Sequence, residues 1–333
     1  MLFKRIFVEK QIENHSRVRR ISRAFPDVEP ETIESMDDIF GKVRKPYLHK
    51  RTDLNLIIAE KRGSLVKPAP PAYGFDGEPH YYFFHAYNCI YECEYCYLQG
   101  YFDSPDIVIF INHEDVCAAI EETASKHAGK VWFHAGEFSD SLALAHLTGE
   151  WPVYWETFKR LPNAFLELRT KSVNIKPIEE LEALDNIIIS FSLSPPSMVK
   201  LLDRKTAGYR GRINVISRLA AKGFKIGLHL DPIIYQDSFR NDYDRLLRDV
   251  LAVLPMEQLE YISAGVVRFT GKVYKEVLKN YPESALNTAP FVKSFDNKVR
   301  YNRPLRMHML REIEKIASGQ GVNSSRIYLC MED

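Results

Sequence analysis

The sequence predicts an α/β fold, a partial (β/α)6 TIM-like barrel open on one side, preceded by an N-terminal α/β extension. Three observations carry this. Between residues 80 and 270, short β-branched and aromatic runs alternate with helical stretches, the pattern of a parallel sheet with crossover helices. Six such strands suit a partial barrel better than a closed eight-stranded one. Polar residues follow the strand ends, where βα folds collect their chemistry.

Residues 1–79 read as the extension. They hold a polar, Arg-rich helical stretch over 9–24 and a helix near 30–43 that starts after Pro30. A loop rich in Pro and Gly, Lys67 to Pro79, leads to the first core strand, Tyr81 to Tyr87. That strand runs into a cysteine-rich loop. Asp115 to His127 is helical, and Lys130 to Gly136 is the second strand. Trp151 to Leu161 is helical, followed by the strand Phe165 to Lys171. A short helix within Ile175 to Leu184 precedes the strand Asn186 to Leu193. The helix Tyr209 to Lys222 stops at Gly223. The strands Lys225 to Asp231 and Leu259 to Arg268 bracket a helix over 241–253. The barrel is therefore assigned to 80–270 and an α-rich C-terminal segment to 271–333.

The chain has 333 residues, 45% of them hydrophobic, and a formal net charge of +1. It contains no apolar run of roughly 18 residues, the length a membrane-spanning helix needs, and its charged N-terminus does not read as a secretory signal. Charge is uneven. Residues 10–24 carry Lys10, Arg17, Arg19, Arg20 and Arg23 against Glu13. Residues 293–311 carry Lys293, Lys298, Arg300, Arg303, Arg306 and Arg311 against Asp296. Either stretch would suit phosphate contact or form a solvated basic face. Nothing in the sequence fixes an oligomeric state.

Of five cysteines, Cys89, Cys93 and Cys96 fall within eight residues. Thiolates select zinc or iron–sulfur clusters. A Cys3His zinc site would recruit His85 or His80, but zinc sites usually pair two such half-motifs and no second cysteine pair exists. Three thiolates at this spacing hold three irons of a [4Fe-4S] cluster and leave the fourth open, the ligand pattern of radical S-adenosylmethionine (SAM) enzymes. Free thiols and such a cluster fit a reducing cytoplasm. Cys117 and Cys330 stand apart and read as small buried hydrophobes.

For SAM chelating the open iron, Glu137 suits the ammonium, Lys171 the carboxylate, and Ser139 and Ser192 the polar end. Alternatively each merely caps the next helix. Tyr95 and Tyr97 flank Cys96, where they either shield the cluster or carry a hydrogen atom.

The run Cys93-Glu-Tyr-Cys-Tyr-Leu-Gln99 resembles the spore photoproduct lyase family of radical SAM enzymes, whose members read Cys-His-Tyr-Cys-Tyr-Leu-Gln there. The likeness extends to Lys61-Arg62-Gly63, Lys67-Pro68, Ser139-Asp140, Lys171, Ser192 and Pro232-Ile-Ile-Tyr235. The resemblance implies reductive cleavage of SAM to a 5′-deoxyadenosyl radical, with electrons from a reductant such as flavodoxin or ferredoxin. That radical abstracts hydrogen from a thymine photolesion extruded from DNA. It also implies that Ser139 and Lys171 bind the cofactor and that Tyr95 and Tyr97 form a relay. Arg300, Arg303 and Arg306 would lie in a DNA-contacting element. One departure stands out: Glu137 or Phe138 occupies the slot of the family's hydrogen-donor cysteine. A radical SAM enzyme on a different, non-DNA substrate therefore stays open, as does a nucleic-acid-binding protein with a structural metal.

Overall fold

The computed structural model describes residues 3–42, 51, 53–70, 73–74 and 77–331. Residue 43 of the expected 30–43 helix, and 71, 72, 75 and 76 of the Pro/Gly loop, lie outside them.

Every other residue of the barrel strands is apolar, and these residues share one core beneath the crossover helices. Val131 and Phe133, Leu166 and Leu168, Ile187, Ile189 and Phe191, and Ile226, Leu228 and Leu230 all belong to it. The strands pair in chain order: His80–Phe83, Val131–His134, Ala164–Thr170, Ile187–Ser192, Lys225–Ile233 and Leu259–Val266, then Ile327–Leu329. All of these pairings are parallel. Val66–Pro68 adds an antiparallel edge beside the first. The six expected strands are present, but the first, expected over Tyr81 to Tyr87, ends at Phe83, and Ala86–Tyr87 joins the other sheet. The seventh, Ile327–Leu329, extends the curled sheet beyond them.

The N-terminal region forms a second sheet, ordered Pro30–Ile33, Arg5–Glu9, Asn55–Ala59, Ile107–Phe110 and Ala86–Tyr87. Here the reading of 30–43 as a helix fails. Pro30–Ile33 is an edge strand parallel to Arg5–Glu9, and a Ser35-capped 3-10 turn, Met36–Asp38, follows. A proline is tolerated at the first residue of an edge strand, where its missing N–H removes no ladder bond. The Arg-rich stretch becomes the helix Ser16–Arg23. Two of its arginines point inward: Arg17 donates to the Ile111 carbonyl at 2.8 Å and Arg20 to that of Leu147 at 2.9 Å.

Beyond the sixth barrel strand come the helix Gly271–Asn280 and a three-stranded antiparallel sheet of Arg268–Thr270, Lys298–Tyr301 and Phe291–Lys293. The helix Arg303–Gly319 follows. No helix among the described residues is long and apolar enough to cross a membrane.

The period of two stacks the concave face of the barrel into layers. Trp132, Ile188 and Tyr261, with Phe165 and Tyr328, form an apolar plug. His134, Glu167, Ser190 and His229 lie above the plug. The strand ends form a rim bearing Glu137, Arg169, Lys171, Ser192 and Asp231.

Candidate active site

The cysteine loop is held from several sides. Asn88 has a left-handed backbone, φ 61°, which Asn tolerates better than most residues. Its amide donates to the carbonyls of Ser104 and Asp106, both at 2.7 Å. Arg51 donates to the carbonyls of Cys89 at 2.6 Å and Tyr91 at 2.5 Å. Glu92–Cys93 pairs antiparallel with Asp203–Arg204, setting Cys93 opposite Asp203. Gln99 donates to the Glu94 carbonyl at 2.9 Å and accepts from Asn280 at 3.0 Å, tying the loop to the helix Gly271–Asn280. Gly100 permits that approach, since a Cβ there would stand 2.9 Å from the Val273 Cα.

All three thiols are free. Burial pushes Cys89 up to about 12, Cys93 well above the ordinary thiol value, and Cys96 upward. The Lys171 ammonium pulls Cys93 and Cys96 the other way. Burial opposes the charge of Lys171, yet Cys93 and Asp203 hold its pKa above the usual lysine value. Three free thiols beside an ammonium, Cys93 buried and Cys89 and Cys96 partly so, are a donor set for a group that binds thiolates. Among the described residues no three His, Cys, Asp or Glu side chains converge on a single-ion position. The two histidines of the zinc alternative are engaged elsewhere: His85 with Glu150 at 3.4 Å and His80 Nδ1 with His134 Nε2 at 2.9 Å. The donor set fits a cluster better than one zinc ion.

Both tyrosines are fixed by hydrogen bonds. The Tyr95 phenol donates to Asp203, with Lys171 Nζ 5.6 Å from its ring centre. Asp203 also receives the fully buried Arg212 guanidinium at 2.8 Å. The Tyr97 phenol donates to the Glu137 main-chain carbonyl and lies 3.1 Å from Glu137 Oε1. Burial raises the Glu137 pKa, while the Tyr97 bond lowers it. Tyr95, Tyr97, Glu137 and Lys171 thus gather around the cysteine loop. Ser139 and Ser192 are buried on the same rim.

Asp140 and Asp203 were not singled out by their own chemistry in the sequence, yet both organise the site. Asp140 accepts from the Leu142 and Ala143 amides at 3.0 and 2.9 Å, from Thr170 at 2.7 Å and from the Lys171 amide at 2.7 Å. It knots the 136–143 loop to the Lys171 strand end. The Ser-Asp pair next to a strand end was its only signal.

The basic segment divides. Arg300 is buried and pairs with Asp296 at 3.1 Å. Arg306 is buried and donates to the Tyr301 carbonyl at 2.7 Å. Arg303 stands exposed in a groove along its helix with His308, Arg311 and Lys315. Cys117 faces the core. Cys330 caps the seventh strand, its Sγ 3.6 Å from Arg268, and Arg268 pairs with Asp231 on the rim.

A curled parallel half-barrel with a three-cysteine loop after its first strand defines the class: a radical SAM partial barrel. A family model described as spore photoproduct lyase matches residues 77–303, more than half of the chain. The chain belongs to the spore photoproduct lyase family. It is 23% identical to the spore photoproduct lyase of Clostridium acetobutylicum over 201 residues, 60% of each chain. It is 25% identical to that of Bacillus subtilis over 205 residues, again 60% of each. These matches span less than two thirds of the relatives' length. Among solved structures, a spore photoproduct lyase mutant with bound AdoMet and dinucleoside spore photoproduct superposes with a TM-score of 0.84 at 17% identity, covering both chains completely. A complex of the lyase with the dinucleoside photoproduct gives 0.83 at 18%, covering 98% of each.

Proposed function

We propose that the chain is a radical SAM enzyme that abstracts hydrogen from a thymine photolesion in DNA. The supporting observation is the set of three free thiols on the barrel rim, Cys93 buried and Cys89 and Cys96 partly so, with Lys171, Tyr95 and Tyr97 around them. Cys89, Cys93 and Cys96 would hold a [4Fe-4S] cluster, which when bound and reduced supplies a 5′-deoxyadenosyl radical from SAM. Lys171 would pair with the SAM carboxylate, and Ser139 and Ser192 would meet its polar end. Glu137 would meet the ammonium or act through Tyr97, whose phenol it engages. Tyr97 is held for hydrogen transfer, while Tyr95, bound to Asp203, shields the cluster side. Electrons would come from a flavodoxin or ferredoxin.

A second reading, a substrate other than the thymine lesion, is favoured by one observation: Glu137 or Phe138 stands where the family resemblance expects a thiol. Neither Glu137 nor Phe138 offers the weak S–H bond needed to quench a product radical.

The test is anaerobic. The reconstituted, reduced protein is given SAM, with and without ultraviolet-damaged spore-type DNA, and 5′-deoxyadenosine and repaired thymine are quantified. Lesion-stimulated production with restored thymine is expected. Production indifferent to the lesion favours the second reading. None at all from protein with a verified reducible cluster defeats both.

A further inference from the structure

The seam between the two sheets carries a pair of lysines that the chemistry above does not use. Asn55–Ala59 of the N-terminal sheet ends there, and the chain turns through Lys61-Arg62-Gly63. It returns as Val66–Pro68, the antiparallel edge of the barrel sheet. Asn112 pins the Lys61 main chain on both sides: its Oδ1 accepts the Lys61 amide at 2.8 Å, and its Nδ2 donates to the Lys61 carbonyl at 3.1 Å. Lys67 stands directly opposite Tyr82, so both side chains leave the sheet on one face. That face is the lumen, where the Tyr82 and His134 rings lie 6.2 Å apart.

The two lysines converge on Phe84. Lys61 Nζ lies 5.1 Å and Lys67 Nζ 5.4 Å over its ring centre. Phe138 of the 136–143 loop stacks on Phe84 at 4.9 Å and 28°, so it takes one face of the ring and the ammoniums take the other. Phe84 and Phe138 are buried, Lys61 is partly exposed and Lys67 exposed. Arg62 pairs with Glu9, but among the described residues no carboxylate comes within ion-pair distance of Lys61 or Lys67. Lys61 donates one N–H to the Arg62 carbonyl. Burial lowers the Lys61 pKa and the Lys67 charge lowers it further, while Asp37 acts the other way. Two like charges gathered at a partly buried place repel unless an anion lies between them. Contact with the Phe84 ring steadies each ammonium without neutralising it, and leaves N–H donors for an anion's oxygens.

Tyr101 indicates which anion. It lies one helical turn beyond Tyr97 and is 53% exposed, with its ring 5.3 Å from Phe138 and 6.0 Å from Tyr97. An exposed aromatic ring near a pair of cations is the combination that holds single-stranded nucleic acid, whose bases stack while its phosphates meet the charges. We propose that Lys61 and Lys67 together seat one phosphodiester of a DNA strand on the lip of the barrel, and that Tyr101 stacks a base of the same strand. The proposal rests on the reading of DNA as substrate and adds where the backbone crosses the lip. The strand passes over Phe84 and Phe138 toward Glu137 and Tyr97.

The test needs neither SAM nor turnover, so it stands apart from the reaction proposed above. Binding of a fluorescein-labelled single-stranded oligothymidylate to the full chain is followed by anisotropy across a salt series. In Lys61→Gln/Lys67→Gln, which keeps aliphatic stems over Phe84, the slope of log K against log salt should fall by about 0.7, one phosphate on a single strand. Lys61→Arg/Lys67→Arg should keep the wild-type slope. Tyr101→Ala should weaken binding roughly 5- to 150-fold at unchanged slope, the loss of one base stack. A wild-type slope in the glutamine variant overturns the proposal, as does wild-type affinity in Tyr101→Ala; either result leaves the reading of DNA as substrate standing. A chain that binds inorganic phosphate through these lysines but no oligonucleotide, damaged or intact, overturns both.

Discussion

Asp203→Ala is the sharpest structural perturbation near the cysteines. Its carboxylate lies 2.8 Å from Arg212 Nη2, with the two side chains 1% and 0% exposed. Arg212 otherwise donates to the Ser192 carbonyl at 2.9 Å, the Ala207 carbonyl at 3.0 Å and Thr206 at 2.6 Å, all neutral acceptors. Removing Asp203 leaves an uncompensated buried guanidinium, which costs about 3–5 kcal/mol. At about 2.1 cal/mol/K per residue, a chain this long unfolds with an entropy of about 0.7 kcal/mol/K, so Tm should fall by roughly 4–7 °C. Calorimetry of the metal-free chain reads this directly. Because Asp203 also faces Cys93 across the short ladder and holds the Tyr95 phenol, alkylation of Cys93 should accelerate in the same variant. The double variant Asp203→Leu with Arg212→Met should recover much of the lost stability, since apolar replacement of a buried pair is often neutral. A single-variant Tm within about 1 °C of wild type would refute the reasoning.

Alanine at Cys89, Cys93 or Cys96 should abolish iron retention and visible absorption after reconstitution, whereas Cys117→Ala and Cys330→Ala should retain both. Burial lowers His113 from 6.5 to about 4. Its neutral form is the native one, so its contribution of about 3 kcal/mol is present above pH about 6.5 and lost as pH falls toward 4. His113→Gln should flatten denaturant-measured stability across that window. Replacing Arg303, Arg311 and Lys315 with alanine should reduce the salt slope of DNA binding by about one per lost phosphate contact. Arg300→Ala, which breaks an internal pair, should lower Tm and leave the slope unchanged. Glu137→Cys should raise thymine restored per 5′-deoxyadenosine if the missing thiol limits repair; an unchanged ratio would favour a different substrate.

The cysteine spacing and the alternation of strands and helices were legible because each is local. The elements that escaped depend on partners distant in the chain. Ile107–Phe110 is an uninterrupted apolar run, as parallel strands buried on both faces are, but its partner is Asn55–Ala59 of the N-terminal sheet. Pro30 was ambiguous for the same reason: it starts a helix or an edge strand according to whether Arg5–Glu9 lies alongside. Ile327–Leu329 is too short to announce itself. Arg300 and Arg306 looked like surface charge because sequence does not show Asp296 or the Tyr301 carbonyl turned toward them. The lumen left a fainter trace. His134, Glu167 and His229 stand at alternating positions between apolar residues of their strands, which in a sheet buried on both faces requires a polar interior.

Under the proposed function, the rim bears on the chemistry available at residue 137. A Cβ at Gly136 would come within 2.5 Å of the Arg169 Cβ, so the backbone there is pressed against the neighbouring strand, and any larger residue would displace it. That placement turns the Glu137 carbonyl toward the Tyr97 phenol. The anchor is main chain, and it survives whatever side chain position 137 carries. A thiol there would lie beside the phenol with a weak bond to offer a carbon radical; a carboxyl offers none and accepts a proton instead. Under the proposed function, hydrogen return to the substrate must therefore come from the Tyr97 phenol, which the main chain at 137 holds in place, or from another donor. The fold is that of the family, and under the proposed function Glu137 or Phe138 stands in the slot where the resemblance implies the group that closes the catalytic cycle.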